Sequence, residues 1–254
     1  MVSAEVYASA GLGENNMRLE LNNLNSTSLS IVVEAGTLFT AEDSELQNML
    51  IAKPLVIKLA PSSKEVINIT AFCTEVQDYC PSEGDVYYID HTKDRQLIKL
   101  IEFIAQNPKA YSNRSVLQSA IWSVTDENNV STIYEEGSQE TEELRSYVCI
   151  LTGQEDVWYN VIQDITVNEQ GRIVSEPLEV NGEINIHNPK EVAIRSFLVN
   201  QRGEIVWEYP DKILLPAGNI EYWFKLKVEN WERGNYTIYY ASKTDTLLAQ
   251  EFSL

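Results

Sequence analysis

Short runs in which apolar and polar residues alternate occupy much of the first part of the chain. The alternation is strict over residues 17–21, and it returns over residues 29–33, 55–59 and 66–73. A period of two over four to eight residues is typical of strands buried on one face. Turn-forming residues separate the runs, as at 22–25 and 61–63. Strands this short and evenly spaced predict an antiparallel β-sandwich.

The period changes to that of a helix between residues 94 and 153. Apolar residues recur at helical spacing in the first of these segments: Leu97, Ile98, Leu100, Ile101 and Ile104. A second helix is expected to begin at Ser112 or Asn113, since both residues are good N-caps. A third is predicted over residues 140–151, with acids in its first turn and Gly153 as its stop. The first domain is therefore predicted to be a sandwich decorated by about three helices.

From Trp158 onward the period returns to two. Two similar segments, 168–174 and 200–206, each place a glycine (Gly171 and Gly203) where a tight hairpin turn needs a positive φ. About seven strands are expected before the end of the chain, which is the size of an immunoglobulin-like sandwich. The sequence thus predicts a mainly β protein of two domains, residues 1–155 and 156–254, the second immunoglobulin-like.

The composition narrows the range of partners. The 254 residues include 38 acids and 19 bases, giving a formal net charge of −19. Acids are in excess in both predicted domains, so neither is expected to bind nucleic acid. No run approaches the roughly 20 apolar residues of a membrane span. The two histidines, His91 and His187, lie far apart in sequence, and no C-x-x-C pair occurs, so neither a metal site nor a cofactor is predicted.

The three cysteines leave several interpretations open. Cys73 and Cys80 flank an acidic loop, and a disulfide between them would indicate an oxidising compartment. Cys73 also shares the apolar face of Ile67 and Ile69, which predicts a buried thiol. A reactive thiol would need an activating neighbour and solvent access. Cys149 lies in a mixed apolar run and is expected to be a small buried residue.

The second domain carries short motifs in a recognisable order. They are Phe197-Leu-Val-Asn-Gln-Arg-Gly-Glu-Ile-Val-Trp207, then Leu215-Pro-Ala-Gly218, then Arg233-Gly-Asn-Tyr-Thr-Ile-Tyr239. This pattern resembles the immunoglobulin-like C-terminal modules of bacterial secreted proteins, of the type IX sorting and flagellar hook-capping kinds. The resemblance covers about 60 residues and implies an attachment module.

In the first domain, Phe72-Cys73 and the helical run Leu117-Gln-Ser-Ala-Ile-Trp122 stand out. They resemble the aromatic-Cys element and the Thr-Gln-x-Ala-x-Trp helix of bacterial surface thioester adhesin domains, with Leu117 in place of the threonine. The resemblance implies a thioester at Cys73 with a glutamine partner, for which Gln118 and, in a later apolar-Gln pair, Gln163 are the candidates.

These observations predict a non-catalytic, extracellular or cell-surface protein for adhesion or attachment to a protein or glycan partner. Residues 1–16 lack the basic end and apolar run of an intact signal peptide, so a leader is expected outside this chain. Trp223 alternates with polar residues and is a candidate for stacking on sugars. One alternative is a subunit that assembles into a sheath or filament by strand addition, with residues 1–8 as the donor strand. Another is a hydrolase that uses paired carboxylates.

Overall fold

A computed structural model describes residues 1–107 and 109–254, and it confirms the mainly β prediction. The chain divides into two compact units. The first contains Met1–Asp156 and Ile165–Ser175, and the second contains Val157–Asp164 and Glu176–Leu254. The segment 165–175 therefore lies with the first unit, although the sequence analysis assigned it to the second domain.

Side-chain packing explains where this segment belongs. Ile165 and Ile173 pack against the sheet core of the first unit. The guanidinium carbon of Arg172 lies 4.0 Å from the centroid of the Tyr79 ring, and Gly171 O accepts a 2.7 Å hydrogen bond from Cys80 N. A hairpin pattern predicts the turn itself but does not indicate which body the tip of the hairpin packs against.

Nine strands precede the helices of the first unit: β1 Val2–Ala8, β2 Met17–Asn23, β3 Leu29–Val33, β4 Thr37–Ala41, β5 Met49–Leu50, β6 Leu55–Leu59, β7 Lys64–Ile69, β8 Phe72–Cys73 and β9 Val86–His91. Seven of them form one sheet in the order β7-β2-β1-β9-β4-β5-β8, and β3 pairs with β6 in a separate two-stranded sheet. Strand β1 is central, because it pairs with both β2 and β9. A donor-strand role for residues 1–8 would require this strand to leave its own sheet.

Three helices follow β9: α1 Arg95–Gln106, α2 Arg114–Thr125 and α3 Gln139–Thr152. The side chain of Asp94 caps α1, and that of Asn113 caps α2 by accepting from the backbone N–H groups of Ser115 and Val116. Helix α3 ends at Gly153, whose φ of 75° is in the left-handed region. The three predicted helices are thus present, with Asn113 as the cap of α2 and Gly153 as the end of α3, as the sequence predicts.

The first unit contains two clusters of buried apolar residues. One lies among the helices and includes Leu100, Leu117 and Ile121. The other lies between the large sheet and the β3–β6 pair, and it includes Phe39 and Trp122. Helix α2 supplies residues to both clusters, so its placement affects the whole unit.

Eight strands follow α3: β10 Tyr159–Val167, β11 Ile173–Asn188, β12 Val192–Asn200, β13 Ile205–Glu208, β14 Ile213–Leu215, β15 Gly218–Lys227, β16 Asn235–Ala241 and β17 Thr246–Ser253. One sheet has the order β10-β11-β15, and the other has the order β13-β12-β16-β17 with β14 also paired to β12. Gly171 and Gly203 adopt φ values of 80° and 77°, as their turn positions predict. The core of the second unit includes Val180, Ile184, Leu198 and Ile238, all fully buried.

Gly182 in β11 marks a close approach of backbones within the second unit. A Cβ atom at this position would lie 2.4 Å from the carbonyl oxygen of Trp158 and 3.0 Å from the Cα atom of Tyr159. Both contacts are with backbone atoms, which cannot turn away as a flexible side chain would. Only glycine therefore fits here without moving a strand.

We expect Gly182→Ala to lower the free energy of unfolding by about 3 kcal/mol, because the new methyl group forces strands apart in a packed sandwich. Urea unfolding followed by tryptophan fluorescence measures this change. The exposed neighbour provides the control, since Glu183→Ala removes a side chain from the same strand without a new backbone contact. Equal stability of G182A and the wild type would contradict the close approach.

Candidate functional site

Cys73 lies on the edge strand β8, where its only strand neighbour is β5. Its register partner is Met49, and its side chain is fully buried in the sheet core. On its other side, β8 has no strand neighbour among the described residues, so β8 is an edge of the sheet. An edge of this kind exposes backbone N–H and C=O groups that need partners when they are buried.

The side-chain amide of Gln118 supplies those partners. Cys73 N donates to Gln118 Oε1 at 3.1 Å, and Gln118 Nε2 donates to Cys73 O at 2.8 Å. The amide therefore pairs with the backbone as a further strand would, although it comes from helix α2. The structure brings Cys73 and Gln118 together through the cysteine backbone, with both hydrogen bonds buried.

The Cys73 thiol is in a poor environment for a nucleophile. Burial raises its pKa to about 12, and the nearby Cys80 thiol contributes in the same direction. Burial also raises the pKa of Cys80 to about 11. A thiol that stays protonated at neutral pH is not activated for attack. The geometry therefore favours the prediction of a buried thiol over that of a reactive one.

The other predicted residues lie in different places. Cys73, Cys80 and Cys149 are all free thiols in the structure, and the Cys73–Cys80 disulfide stays a prediction. Gln163 lies on β10, in the second unit, so the thioester also stays a prediction. Trp223 on β15 is 52% exposed, which is the accessibility that stacking on a sugar requires. Within residues 1–107 and 109–254, no cluster of three or more His, Cys, Asp or Glu side chains has the arrangement of a metal site.

The Gln118–Cys73 pairing predicts a large effect of a non-polar replacement. Gln118→Leu leaves the buried N–H and C=O of Cys73 without partners, and we expect the free energy of unfolding to fall by about 2–4 kcal/mol. Chemical denaturation measures the change. Gln106→Leu is the matched control at an exposed position near the end of α1, and it should be nearly neutral. Similar stabilities of the two variants would contradict the role of the amide.

The raised pKa of Cys73 predicts slow alkylation. We expect iodoacetamide at pH 8 to modify the partly exposed Cys149 first and to leave Cys73 unmodified until the protein is unfolded. Peptide mapping by mass spectrometry identifies the modified sites. The intact mass under non-reducing conditions separates the remaining alternatives, because a disulfide removes two hydrogen atoms and a thioester removes one ammonia. Fast labelling of Cys73 in the folded protein would contradict its burial.

A second candidate site lies at one end of the second unit, where three connections between strands meet. It is a groove of 920 Å³, which we call the lysine groove. The β11–β12, β13–β14 and β16–β17 connections contribute Lys190, Lys212 and Lys243, one lysine each. All three lysines are exposed. Val192, Ala193 and Leu247 supply apolar surface between them.

The lysines have no carboxylate partners among the described residues. None of the salt bridges described for that part of the chain includes Lys190, Lys212 or Lys243. The fourth cation of the groove, Arg195, is instead paired with Glu208 through two hydrogen bonds of 2.8 and 3.0 Å. This pairing raises the pKa of Arg195 and lowers that of Glu208. Three lysines thus stand outside the described salt bridges, and the groove, whose lining also includes Asp245, keeps a local excess of positive charge.

Local hydrogen bonds hold the connections in place. Nδ2 of the buried Asn188 donates to the carbonyl oxygens of Leu215 and Pro216, at 3.4 and 3.1 Å. In the β16–β17 turn, Ser242 Oγ accepts from the backbone N–H groups of Thr244 and Asp245. These bonds fix the backbone beside Lys190 and around Lys243, while the lysine side chains are exposed to solvent. Such a groove suits an anionic ligand with some apolar surface.

No feature of the sequence indicated this groove. Its lysines are more than 20 positions apart in sequence, and no local motif connects them. They come together because β13 and β14 both pair with β12, which places Lys212 beside the end of β12 that follows Lys190.

Known proteins show little similarity to this chain. No protein-family model and no curated protein matches the chain. A solved structure of β-glucosidase from Kluyveromyces marxianus is similar over 94% of this chain and 44% of its own, with 11% sequence identity and a TM-score of 0.21. This chain therefore spans less than half the length of that protein. A likeness this weak carries no argument about fold or activity.

Proposed function

We propose that this protein is a non-catalytic binding protein that attaches to an anionic glycan at a cell surface or in an extracellular matrix. The observation that carries the proposal is the lysine groove, in which three unpaired lysines from three connections surround an apolar floor. A rigid sandwich that presents ligand-binding residues on its connections is a common arrangement for recognition.

The charge distribution explains why a glycan is favoured as the partner. Long-range repulsion by the net charge of −19 disfavours a highly charged duplex, which needs many phosphate contacts along an extended basic surface. A carboxylated or sulfated sugar chain has more widely spaced charges and apolar sugar faces. Three lysines and a short apolar floor match one or two repeats of such a polymer.

The exposed Trp223 belongs to the same unit and offers a second mode of sugar recognition. Its neighbour in sequence, Phe224, is buried in the core, so the alternation of β15 directs the indole outward. Its cross-strand partner is Glu183. An acidic neighbour favours a neutral sugar at this position, so we assign the anionic ligand to the lysine groove and not to Trp223.

No helix of the described chain is long and apolar enough to cross a membrane. In the proposed function, the protein is held at the cell surface or in the matrix by binding the glycan. The proposed setting at the cell exterior is inferred from the resemblance of the second domain to secreted bacterial modules.

We expect the protein to bind oligogalacturonate or heparin fragments, and not dextran, in isothermal titration calorimetry. Replacing Lys190, Lys212 and Lys243 together by glutamate should weaken binding on the order of tenfold or more, because it reverses the sign of the groove. Raising NaCl from about 0.05 to 0.15 M should also weaken binding in the wild type, since exposed charges are screened.

The matched control replaces three exposed lysines of the first unit, Lys58, Lys93 and Lys99, by glutamate. This variant has the same net charge as the groove variant, so it should retain wild-type binding if the groove is the site. Equal loss in both variants would indicate a general charge effect. Failure of every anionic glycan to bind the wild type, or tighter binding of duplex DNA, would refute the proposed function.

A further inference from the structure

We propose that this protein forms a two-fold symmetric dimer, in which β15 of one copy pairs antiparallel with β15 of a second copy. The surface concerned is the outer side of Gly218–Lys227, at one edge of the sheet β10-β11-β15. We call it the β15 edge. No residue of β15 belongs to the lysine groove, and the proposal does not depend on the glycan-binding function.

The first observation is that β15 is a long and regular edge strand. It has 10 residues and pairs with β11 from Gly218, opposite Asn188, to Lys227, opposite Glu179, without a register shift. Among the described residues, no strand pairs with its other side. The backbone N–H and C=O groups of such an edge form a template on which another strand can pair.

The second observation is that β15 lacks the features that protect other edges of this chain. Proteins shield free edges with short strands, bulges, proline residues or a covering element. At the edges of the other sheet in the second unit, β13 has 4 residues and the pairing of β17 shifts register between Tyr240 and Ala241. In the first unit, the amide of Gln118 covers β8. Strand β15 contains neither a proline nor a bulge, so its edge is open to a partner strand.

The third observation is that the charges on β15 are complementary to themselves. Phe224 and Leu226 are buried, so the alternation directs Glu221, Trp223 and Lys225 to the solvent face. If two copies of β15 pair with the two-fold axis at Trp223, each Glu221 lies opposite Lys225 of the second copy. Cross-strand pairs of opposite charge and of aromatic rings both stabilise a sheet. An axis at Glu221 or Lys225 would instead bring like charges together, so the charges favour the register centred on Trp223.

Both charged side chains are accessible to a neighbouring strand. Glu221 is exposed. Lys225 Nζ lies 3.1 Å from Glu179 Oε1, yet 61% of the lysine side chain remains exposed. An ammonium group has three donors, so Lys225 can contact Glu179 of its own chain and Glu221 of the second copy together.

The symmetry of this pairing limits the assembly to two copies. An axis perpendicular to the sheet keeps both solvent faces on one side and both core faces on the other. The two indoles of Trp223 then lie side by side on the solvent face, where they remain accessible as one wider aromatic surface. Each copy uses its β15 edge once, so the contact is closed and does not extend into a filament.

Sedimentation equilibrium of the full-length protein tests the proposal. We expect a reversible monomer–dimer equilibrium and no larger species at about 0.15 M NaCl, where repulsion between the acidic copies is screened. Glu221→Lys should weaken the dimer by about tenfold or more, because like charges then face each other at two symmetric places. The double variant E221K/K225E exchanges the two charges and should restore the dimer. Glu169→Lys is the matched control, since it makes the same charge change at an exposed turn away from β15, and it should dimerise as the wild type does.

Cross-linking tests the register. Trp223→Cys, in a Cys149→Ser background, should be joined to its own copy by a short bis-maleimide, because the residue on the axis faces itself. Cys73 and Cys80 are buried and should not react in the folded protein. Lys227→Cys is the matched control on the same strand and face. Its counterpart in the second copy would lie about 26 Å away, since eight residues of roughly 3.3 Å each separate the two positions along the strand.

Several results would overturn the proposal. A wild-type protein that stays monomeric at every concentration, or that forms polymers instead of dimers, would exclude the closed pairing. Equal dimerisation of the folded E221K and E169K variants would show that the charges on β15 do not contribute. Equal cross-linking at positions 223 and 227 would contradict the register, and this comparison does not depend on the charge variants.

Discussion

The first unit depends on how helix α2 is fixed against the edge of its sheet. The amide of Gln118 forms two hydrogen bonds with the backbone of Cys73, and it completes an edge strand that would otherwise bury unpaired groups. This contact sets both the position of the helix along β8 and its rotation. Arg114 Nη2 adds a hydrogen bond to Ala71 O at the start of the helix. Because α2 supplies Leu117 to the helical cluster and Trp122 to the sheet cluster, these polar contacts hold one helix against both cores.

The period of the apolar residues was enough to predict most elements. The start of α2 at Ser112 or Asn113 and the stop of α3 at Gly153 were identified from sequence because capping depends on one residue and its nearest neighbours. The run at 66–73 was predicted as one strand but is divided into β7 and β8, since the buried Asn16 side chain pairs with the backbone of Ala71 between them. That interruption comes from a residue 55 positions away, which no local pattern reveals.

The candidate sites were harder to predict for the same reason. Cys73 and Gln118 are 45 positions apart, and only the resemblance to a known pair of motifs drew attention to them together. The resemblance implied a thioester, whereas the apolar face shared with Ile67 and Ile69 predicted a buried thiol. The geometry places a backbone contact there, and burial raises the pKa of the thiol. The lysine groove had no local signal at all, because its three cations come from three separate connections. The strand topology brings these residues, which are distant in sequence, together on one surface.

The two units use positive charge in different ways. In the lysine groove the cations are exposed, so their attraction for a ligand acts at long range and is weakened by salt. In the first unit the charge of Arg114 is partly desolvated, and burial lowers its pKa. Its Nη2 atom donates to Ala71 O, and its guanidinium group lies over the Phe72 ring. The exposed groove therefore suits a polymer that binds through several weak contacts, whereas Arg114 helps to hold helix α2 against β8.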